Sequence, residues 1–248
     1  MPAALFVSDL HLCPTRPAMV RLFLDFLADQ AMTADALYIL GDMFDYWAGD
    51  DELADPDDPF AASIAGALKA LGDRGTRLFF ITGNRDFLAG DGFARATGMT
   101  PLEEPHLATI AGVPTLLLHG DTLCSDDTAY QEFRREVRRP AWREAFLARP
   151  LPERRAQIAA LRARSEQAKL GKSAAIMDVN AGAVAELLRA YGYPRLIHGH
   201  THRPGYHEHL VDTHLCQRWV LGDWYEKGSY LACDERGCAT LPLLSTKL

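Results

Sequence analysis

The 248-residue chain has few cysteines, and their spacing does not suggest a metal site. It contains five, Cys13, Cys124, Cys216, Cys233 and Cys238, an odd number with no Cys-x-x-Cys pair. This usage predicts free thiols in a reducing compartment and argues against a disulfide framework. It also leaves thiolates out of the candidate ligands, which argues against a structural zinc site.

Long apolar runs, internal repeats and low-complexity tracts are also missing. No stretch approaches the roughly 20 apolar residues of a membrane-spanning helix, and the chain enters a predicted strand without the segments of a signal peptide. We therefore expect a protein that is soluble or lies at most on a membrane surface. The length and the 48% hydrophobic content predict one globular domain, residues 1–248, with an inserted subdomain.

Positive charge is scarce overall but concentrated in one segment. The net charge of -7 argues against a nucleic-acid partner. Residues 128–172 nevertheless carry 12 lysines and arginines against 5 acidic residues. We expect residues 127–172 to form this inserted subdomain, a basic helical cap. The acidic run Asp50–Asp58, in contrast, is typical of a solvated loop.

Apolar runs alternate with amphipathic stretches in the first half of the chain, and strand patterns dominate its end. Helices are predicted at 17–30, 59–72, 91–97, 127–148, 153–168 and 176–188. Strands are predicted at 5–7, 37–40, 78–81, 107–110, 114–118, 195–197, 207–211, 217–221, 229–233 and 238–243. This order indicates an α/β (α+β) fold of two mixed sheets packed together, with helices outside.

Five of the apolar runs end in possible metal ligands, usually beside a glycine. Their ends read Asp9-Leu10-His11, Gly41-Asp42, Gly83-Asn84-Arg85-Asp86, His119-Gly120-Asp121 and His198-Gly199-His200-Thr201-His202. Residues i and i+2 of a strand point to the same side, and parallel strands gather ligand-binding groups at their carboxyl ends. Five such ends in order predict one convergent site.

The chemistry of these side chains suits a pair of divalent ions. The candidate ligands are Asp9, His11, Asp42, Asn84, His119, His198 and His200, with His202 as the alternative to His198. Carboxylate, amide and imidazole groups favour Mn²⁺, Fe²⁺ or Zn²⁺. They are too many for one ion, and Asp42, alone at its strand end, is the best bridge between two. Two ions about 3.5–4 Å apart activate water and bind phosphate oxygens, so we predict hydrolysis of a phosphate ester or anhydride.

In order and spacing, the five motifs resemble those of the calcineurin-like metallophosphoesterases. The resemblance implies a four-layer αββα sandwich with a dinuclear centre. It implies one ion held by Asp9, His11, Asp42 and His200, and a second held by Asp42, Asn84, His119 and His198. It favours His198 over His202. Asp86 and Asp121 are expected to orient histidine ligands through the free ring N–H groups.

The chain departs from the family pattern at Arg85, where most members carry histidine. Arginine cannot donate a proton, but it can clamp a phosphate with two N–H groups. This favours a leaving group that needs no protonation, as in a pyrophosphate. The Gly-Asn-Arg-Asp turn, with residues 41–47, 119–127 and 176–180, is similar to the UDP-2,3-diacylglucosamine diphosphatases of lipid A synthesis.

That resemblance implies two Mn²⁺ ions and conversion of UDP-2,3-diacylglucosamine to UMP and 2,3-diacylglucosamine 1-phosphate (lipid X), with water attacking the alpha-phosphorus. It also implies a peripheral position on the cytoplasmic face of the bacterial inner membrane. The implied catalytic residues are Asp42, Arg85 and His198. The implied substrate contacts are Asn84, Arg85, Asp127, Ser165, Lys169, Lys172 and His198. The basic charge of the cap suits a pyrophosphate and an anionic membrane surface, and its surplus apolar side chains suit two acyl chains.

Two other functions are compatible with the same motifs. One is a calcineurin-like phosphodiesterase or phosphatase that acts on a nucleotide or a phosphoprotein. The other is a catalytically inactive scaffold that keeps the fold. Arg85 and the basic, apolar cap argue against the first, and the complete set of ligand positions argues against the second.

Overall fold

Eleven strands form two mixed sheets in the part of the chain described by the computed structural model, residues 4–169, 176 and 178–243. The strands are β1 (Ala4–Val7), β2 (Ala36–Leu40), β3 (Arg77–Ile81), β4 (Thr100–Pro101), β5 (His106–Ile110), β6 (Val113–Leu117), β7 (Arg195–His198), β8 (Gly205–Val211), β9 (His214–Val220), β10 (Ser229–Asp234) and β11 (Gly237–Pro242). One sheet has the order β11-β10-β1-β2-β3-β4 and the other β5-β6-β7-β9-β8. The two C-terminal hairpins therefore belong to different sheets.

The α-helices of the described residues are α1 (Pro17–Ala28), α2 (Phe60–Asp73), α3 (Asp91–Thr97), α4 (Thr128–Val137), α5 (Pro140–Leu147), α6 (Leu151–Lys169) and α7 (Ala181–Ala190). The single helix predicted over 127–148 is wrong, because Arg139 is extended before Pro140, as the residue before proline prefers. The helix predicted from 176 begins instead at Ala181, where the Asn180 side chain caps it. None of the described helices is long and apolar enough to cross a membrane.

Successive apolar side chains of a central strand point to opposite faces of the sheet, and each face packs against a different layer. Leu5 of β1 packs in the core shared with α1 and α2, whereas Phe6 faces the second sheet and shares a core with Leu117. On the far side of the second sheet, Leu116 packs against Leu188 of α7. Both faces of each central strand are thus buried, as their continuous apolar runs predict. The result is the expected four-layer αββα sandwich.

Two cysteines contradict the expectation of free thiols. Cys233 and Cys238 form a disulfide across the β10–β11 hairpin. They are directly opposite each other in the register, next to the turn Asp234–Gly237. That turn is predictable from the sequence, so the pairing could have been found from it. Cys13, Cys124 and Cys216 are buried outside the disulfide.

The acidic run Asp50–Asp58 is not simply a solvated loop. Arg155 of α6 lies 2.6 Å from the carboxylate of Asp55 and 3.4 Å from that of Glu52, and Glu52 is buried. The neighbouring Arg154 is also buried and bonds to this segment. Ion pairs therefore attach α6 to the acidic run, and the prediction of a solvated loop is wrong.

Candidate metal centre

The candidate ligands follow strands β1, β2, β3, β6 and β7, and several have an uncommon backbone conformation. The backbone angle φ is +53° at Asp9, +46° at His11, +54° at Asp42, +68° at His200 and +54° at His202. Non-glycine residues avoid this left-handed region, and residues held there concentrate at functional sites. Hydrogen bonds from the backbone N–H groups of Asp9 and His11 to the carbonyls of Gly41 and Asp42 hold the first two turns together.

Glycines beside the ligands allow the turns to approach closely. A Cβ atom at Gly83 would overlap the carboxylate of Asp42, and one at Gly199 would overlap that of Asp9. Any side chain at these positions would push two of the turns apart. The close approach of the turns therefore explains why glycine accompanies most of the motifs.

One half of the centre consists of Asp9, His11 and His202. The Nε2 atom of His202 lies 3.3 Å from Nε2 of His11 and 3.4 Å from Oδ1 of Asp9. Its other ring nitrogen, Nδ1, lies 3.0 Å from the carboxylate of Asp223. A metal-binding histidine commonly donates its second N–H to a carboxylate in this way, which leaves Nε2 for the ion.

The other half consists of Asn84, His119 and His200. The Oδ1 atom of Asn84 lies 3.0 Å from Nε2 of His119 and 2.9 Å from Nδ1 of His200. His119 directs its Nδ1 to the carbonyl of Leu40 at 2.9 Å. The Asp42 carboxylate spans the two halves, since Oδ2 is 3.9 Å from Nδ1 of His11 and Oδ1 is 3.8 Å from Nε2 of His119.

His198 does not join this cluster, contrary to the expectation from the resemblance. Its side chain is fully buried. Its Nδ1 lies 2.9 Å from the carbonyl of Gly199, and its Nε2 lies 3.1 Å from the guanidinium of Arg218. Both ring nitrogens of His198 therefore face protein groups. His202, the alternative to His198, lies with Asp9 and His11 instead.

The expected roles of Asp86 and Asp121 are also different in the structure. Asp86 accepts hydrogen bonds from the backbone N–H groups of Met43 and Gly83, both at 2.7 Å, and so connects the turns after β2 and β3. Asp121 accepts hydrogen bonds from Tyr130 of α4 at 2.5 Å and from Arg134 at 2.7 Å. Both carboxylates thus position backbone and helix rather than a histidine ring.

Burial and neighbouring charges shift the pKa values of several members of the cluster. Burial raises the pKa of Asp42 to about 7, although the charge of His119 opposes the shift. Burial would lower the pKa of His119, but Asp42 and Asp9 outweigh it and raise that pKa to about 9. Burial lowers the pKa of His200 to about 4. Burial alone would raise the pKa of Asp9, but His202 and His119 outweigh burial and lower it.

These residues fit a divalent cation. Within the described ranges, Oδ1 of Asp9 and Nδ1 of His11 are buried without an aligned hydrogen-bond partner, which is costly unless a ligand completes them. Single ligand atoms of Asp9, His11 and His202 lie within 4.8 Å of one another, as do those of Asp9, Asp42 and His119. Two adjacent groups of this kind are suitable for cation binding.

A cavity of about 540 Å³ extends from the cluster to α4, α5 and α6. Its polar end is lined by Asp42, Asp45, Asn84, Arg85, His200 and His202. Its apolar end is lined by Phe87, Phe133, Val137, Trp142, Phe146, Ile158 and Leu161. The arrangement can hold a charged group near the candidate ligands and an apolar group between the helices.

The predicted substrate contacts are only partly within the described residues. Asp127 lines the cavity, and its side chain accepts a hydrogen bond from the backbone N–H of Tyr130 at the start of α4. Lys172 lies outside the described residues. Ser165 and Lys169 belong to α6, but their side chains also lie outside the described part.

Two neighbours of Arg85, Asp45 and Tyr225, are not among the site residues predicted from the sequence. Arg85 donates hydrogen bonds to the carboxylate of Asp45 at 2.8 Å and to the hydroxyl of Tyr225 at 3.2 Å. Asp45 could have been found from its place in the motif of residues 41–47. Tyr225 has no motif around it, and only the fold brings it to the site.

Comparison with known proteins agrees with this architecture. A UDP-2,3-diacylglucosamine hydrolase of Aromatoleum aromaticum is 53% identical over 95% of this chain and 94% of its own length. Proteins with the same name from Edwardsiella ictaluri and Escherichia coli O81 are 47% and 49% identical, over 97% and 92% of this chain and 92% and 93% of theirs. The model of the calcineurin-like phosphoesterases matches residues 3–204. The chain therefore belongs to the calcineurin-like phosphoesterase family.

Proposed function

We propose that this chain hydrolyses the pyrophosphate bond of UDP-2,3-diacylglucosamine, which yields UMP and 2,3-diacylglucosamine 1-phosphate. The observation that carries the proposal is the cavity with one polar and one apolar end. Relatives named for this substrate share about half of their residues with the chain over nearly its whole length. A phosphatase for nucleotides or phosphoproteins would not need the apolar end.

The helices α4, α5 and α6 act as a cap in this proposal, within residues 127–172. Aromatic and aliphatic side chains from all three line the apolar end of the cavity, and they provide an apolar surface for two acyl chains. Arg134 and Arg138 line the same cavity. Their positive charges suit the phosphates of the substrate.

Two Mn²⁺ ions are the cofactor that we propose for the centre. Asp9, His11, Asp42 and His202 would hold one ion, and Asp42, Asn84, His119 and His200 would hold the other. Oxygen and imidazole donors without thiolate fit this ion. When bound, such a pair supplies an activated water and neutralises charge on the phosphoryl oxygens.

Arg85 has the role of binding phosphate rather than of donating a proton. Its guanidinium lines the polar end of the cavity and is only 18% exposed, so its N–H groups are directed by neighbouring protein groups. The planar fork of N–H donors matches two phosphate oxygens. With water attacking the alpha-phosphorus, the departing group is the phosphate of the acylated sugar, which leaves as an anion without protonation.

We also propose a peripheral position on the cytoplasmic face of the bacterial inner membrane. The support is the basic charge of residues 128–172, together with the exposed side chains of Phe133 and Leu147 on α4 and α5. Basic residues near an anionic surface each contribute about 1 kcal/mol to its attraction. The two exposed apolar side chains could enter the headgroup region.

Product analysis in ¹⁸O-water tests the proposal. UDP-2,3-diacylglucosamine is incubated with the protein, with and without Mn²⁺, beside an Asp42→Asn control. We expect Mn²⁺-dependent release of labelled UMP, and none from the control. Label in the acylated sugar phosphate would move the attack to the other phosphorus. Hydrolysis of bis(4-nitrophenyl) phosphate without turnover of the lipid would refute the substrate while leaving the metal centre in place.

A further inference from the structure

A chain of charged groups extends from the metal centre to helix α6. Nε of Arg85 lies 3.6 Å from Oδ2 of Asp42, and its Nη1 lies 2.8 Å from Oδ1 of Asp45. The same Asp45 carboxylate receives two N–H groups from Arg162 of α6, at 2.6 and 3.0 Å. One carboxylate is therefore shared by an arginine of the polar end and an arginine of the helix.

The position of Asp45 makes this contact specific. Asp45, Arg85 and Arg162 all line the cavity, and the Asp45 side chain is 17% exposed, so water competes little for its hydrogen bonds. Asp45 lies beyond β2 and Arg85 beyond β3, whereas Arg162 is more than a hundred residues from Asp45 in sequence. Without Asp45, the two positive groups would face each other with no shared anion between them.

We propose that Asp45 is a positioning residue that connects α6 to Arg85. Held between both arginines, it fixes the guanidinium of Arg85 in the direction of the phosphate and makes that direction depend on where α6 lies. The proposal rests on the proposed function, in which α6 contributes to the binding of the acyl chains. Occupancy of the apolar end would then favour the arrangement needed at the polar end.

Asp45→Asn is the first test, because it removes the charge with little change in shape. A guanidinium that loses such a partner is free to rotate, and a misplacement of this kind costs about 10- to 100-fold in rate. We expect kcat for UDP-2,3-diacylglucosamine to fall by that factor, with KM, metal content and melting temperature nearly unchanged. Asp45→Glu, which restores the carboxylate, should recover most of the loss. An unchanged kcat, or a loss of bound metal that parallels the loss of activity, would overturn the proposal.

A double-mutant cycle tests the connection to α6. Arg162→Gln should also lower kcat, and adding it to Asp45→Asn should cause little further loss, because both changes break one link. Losses that multiply in full would show that Asp45 acts without Arg162. Glu153→Gln is the control on the same helix, since the Glu153 side chain is exposed and the contacts of Asp45 with α6 come from Arg162. Its kcat alone should equal that of the wild type, and its kcat together with Asp45→Asn should equal that of Asp45→Asn.

A second substrate separates this proposal from the proposed function. If the wild type does not hydrolyse the lipid, the same cycle is measured with bis(4-nitrophenyl) phosphate, a phosphodiester that has no acyl chains to occupy the apolar end. Coupling between Asp45 and Arg162 on that substrate supports the link even where the lipid substrate fails. Independent effects on both substrates would refute it.

Discussion

Replacing His202 with alanine should release metal, whereas the same replacement at His198 should lower stability. His202 directs Nε2 toward Asp9 and His11, and His198 directs both ring nitrogens to other protein groups. The two residues are four positions apart and chemically identical. The pair of variants therefore tests which histidine is the ligand.

The structure gives different magnitudes for the two changes. The His202 side chain is 29% exposed, so its removal should change the unfolding free energy of the metal-free protein by less than about 1 kcal/mol. Removing a residue that only supports a ligand already costs roughly 10- to 100-fold in metal affinity, and we expect about 100-fold or more for His202. Loss of His198 removes one of two histidine acceptors of the buried Arg218, the other being His209. This costs about 1–3 kcal/mol or roughly 2–12 °C in melting temperature.

Two assays separate these effects. Metal content after dialysis against limiting Mn²⁺ gives the binding loss, and melting in EDTA gives stability without the contribution of bound metal. His202→Ala should lose metal and keep its melting temperature, and His198→Ala should do the reverse. Loss of metal from His198→Ala with retention in His202→Ala would refute the assignment drawn from the geometry.

Four further outcomes follow from the site. Asp42→Ala should abolish both metal binding and turnover, and full activity in this variant would exclude a bridging role. Arg85→Ala should lower kcat about 100-fold or more while metal content stays within twofold, as metal analysis beside kinetics would reveal; an equal loss of metal would disprove a phosphate-binding role. Phe133→Ala should raise KM for the diacylated substrate but leave hydrolysis of bis(4-nitrophenyl) phosphate unchanged. The pKa of His119 in the metal-free protein is about 9, against an ordinary 6.5. Protonated His119 therefore stabilises the fold fully below pH 6.5, and this stabilisation is lost as the pH rises through about 9. Melting in EDTA should show the decline, and His119→Ala should lack it.

Much of the fold is predictable from the sequence because its central strands are buried on both faces. The run Leu37–Leu40 is apolar throughout, and it becomes β2 between two layers. The end of α3 is also predictable, since Gly98 has the left-handed φ of +71° that favours glycine. The acidic run was misjudged for a physical reason. Its partner Arg155 is about 100 residues away in sequence, so local composition contains no sign of the ion pairs.

The candidate site was predicted as a cluster but not in its details. Five strand ends do converge, because parallel strands present their carboxyl ends at one edge. Strand alternation left both His198 and His202 possible, and the resemblance favoured His198. In the structure His200 and His202 have positive φ and do not follow that alternation, and His202 is the one that lies with Asp9 and His11. The ligand roles themselves remain predictions that the metal measurements address.

The position of β1 has a consequence for how the protein is made. This strand lies between β2 and β10, and its Phe6 is opposite Leu231 in the antiparallel ladder. The backbone N–H of Trp224 also donates to the carbonyl of Asp9. During translation, β1 leaves the ribosome long before β10, so this pairing forms only after β10 has been made. Pairing over such a separation is intrinsically slow, and the bond from Trp224 to the Asp9 turn spans a similar separation.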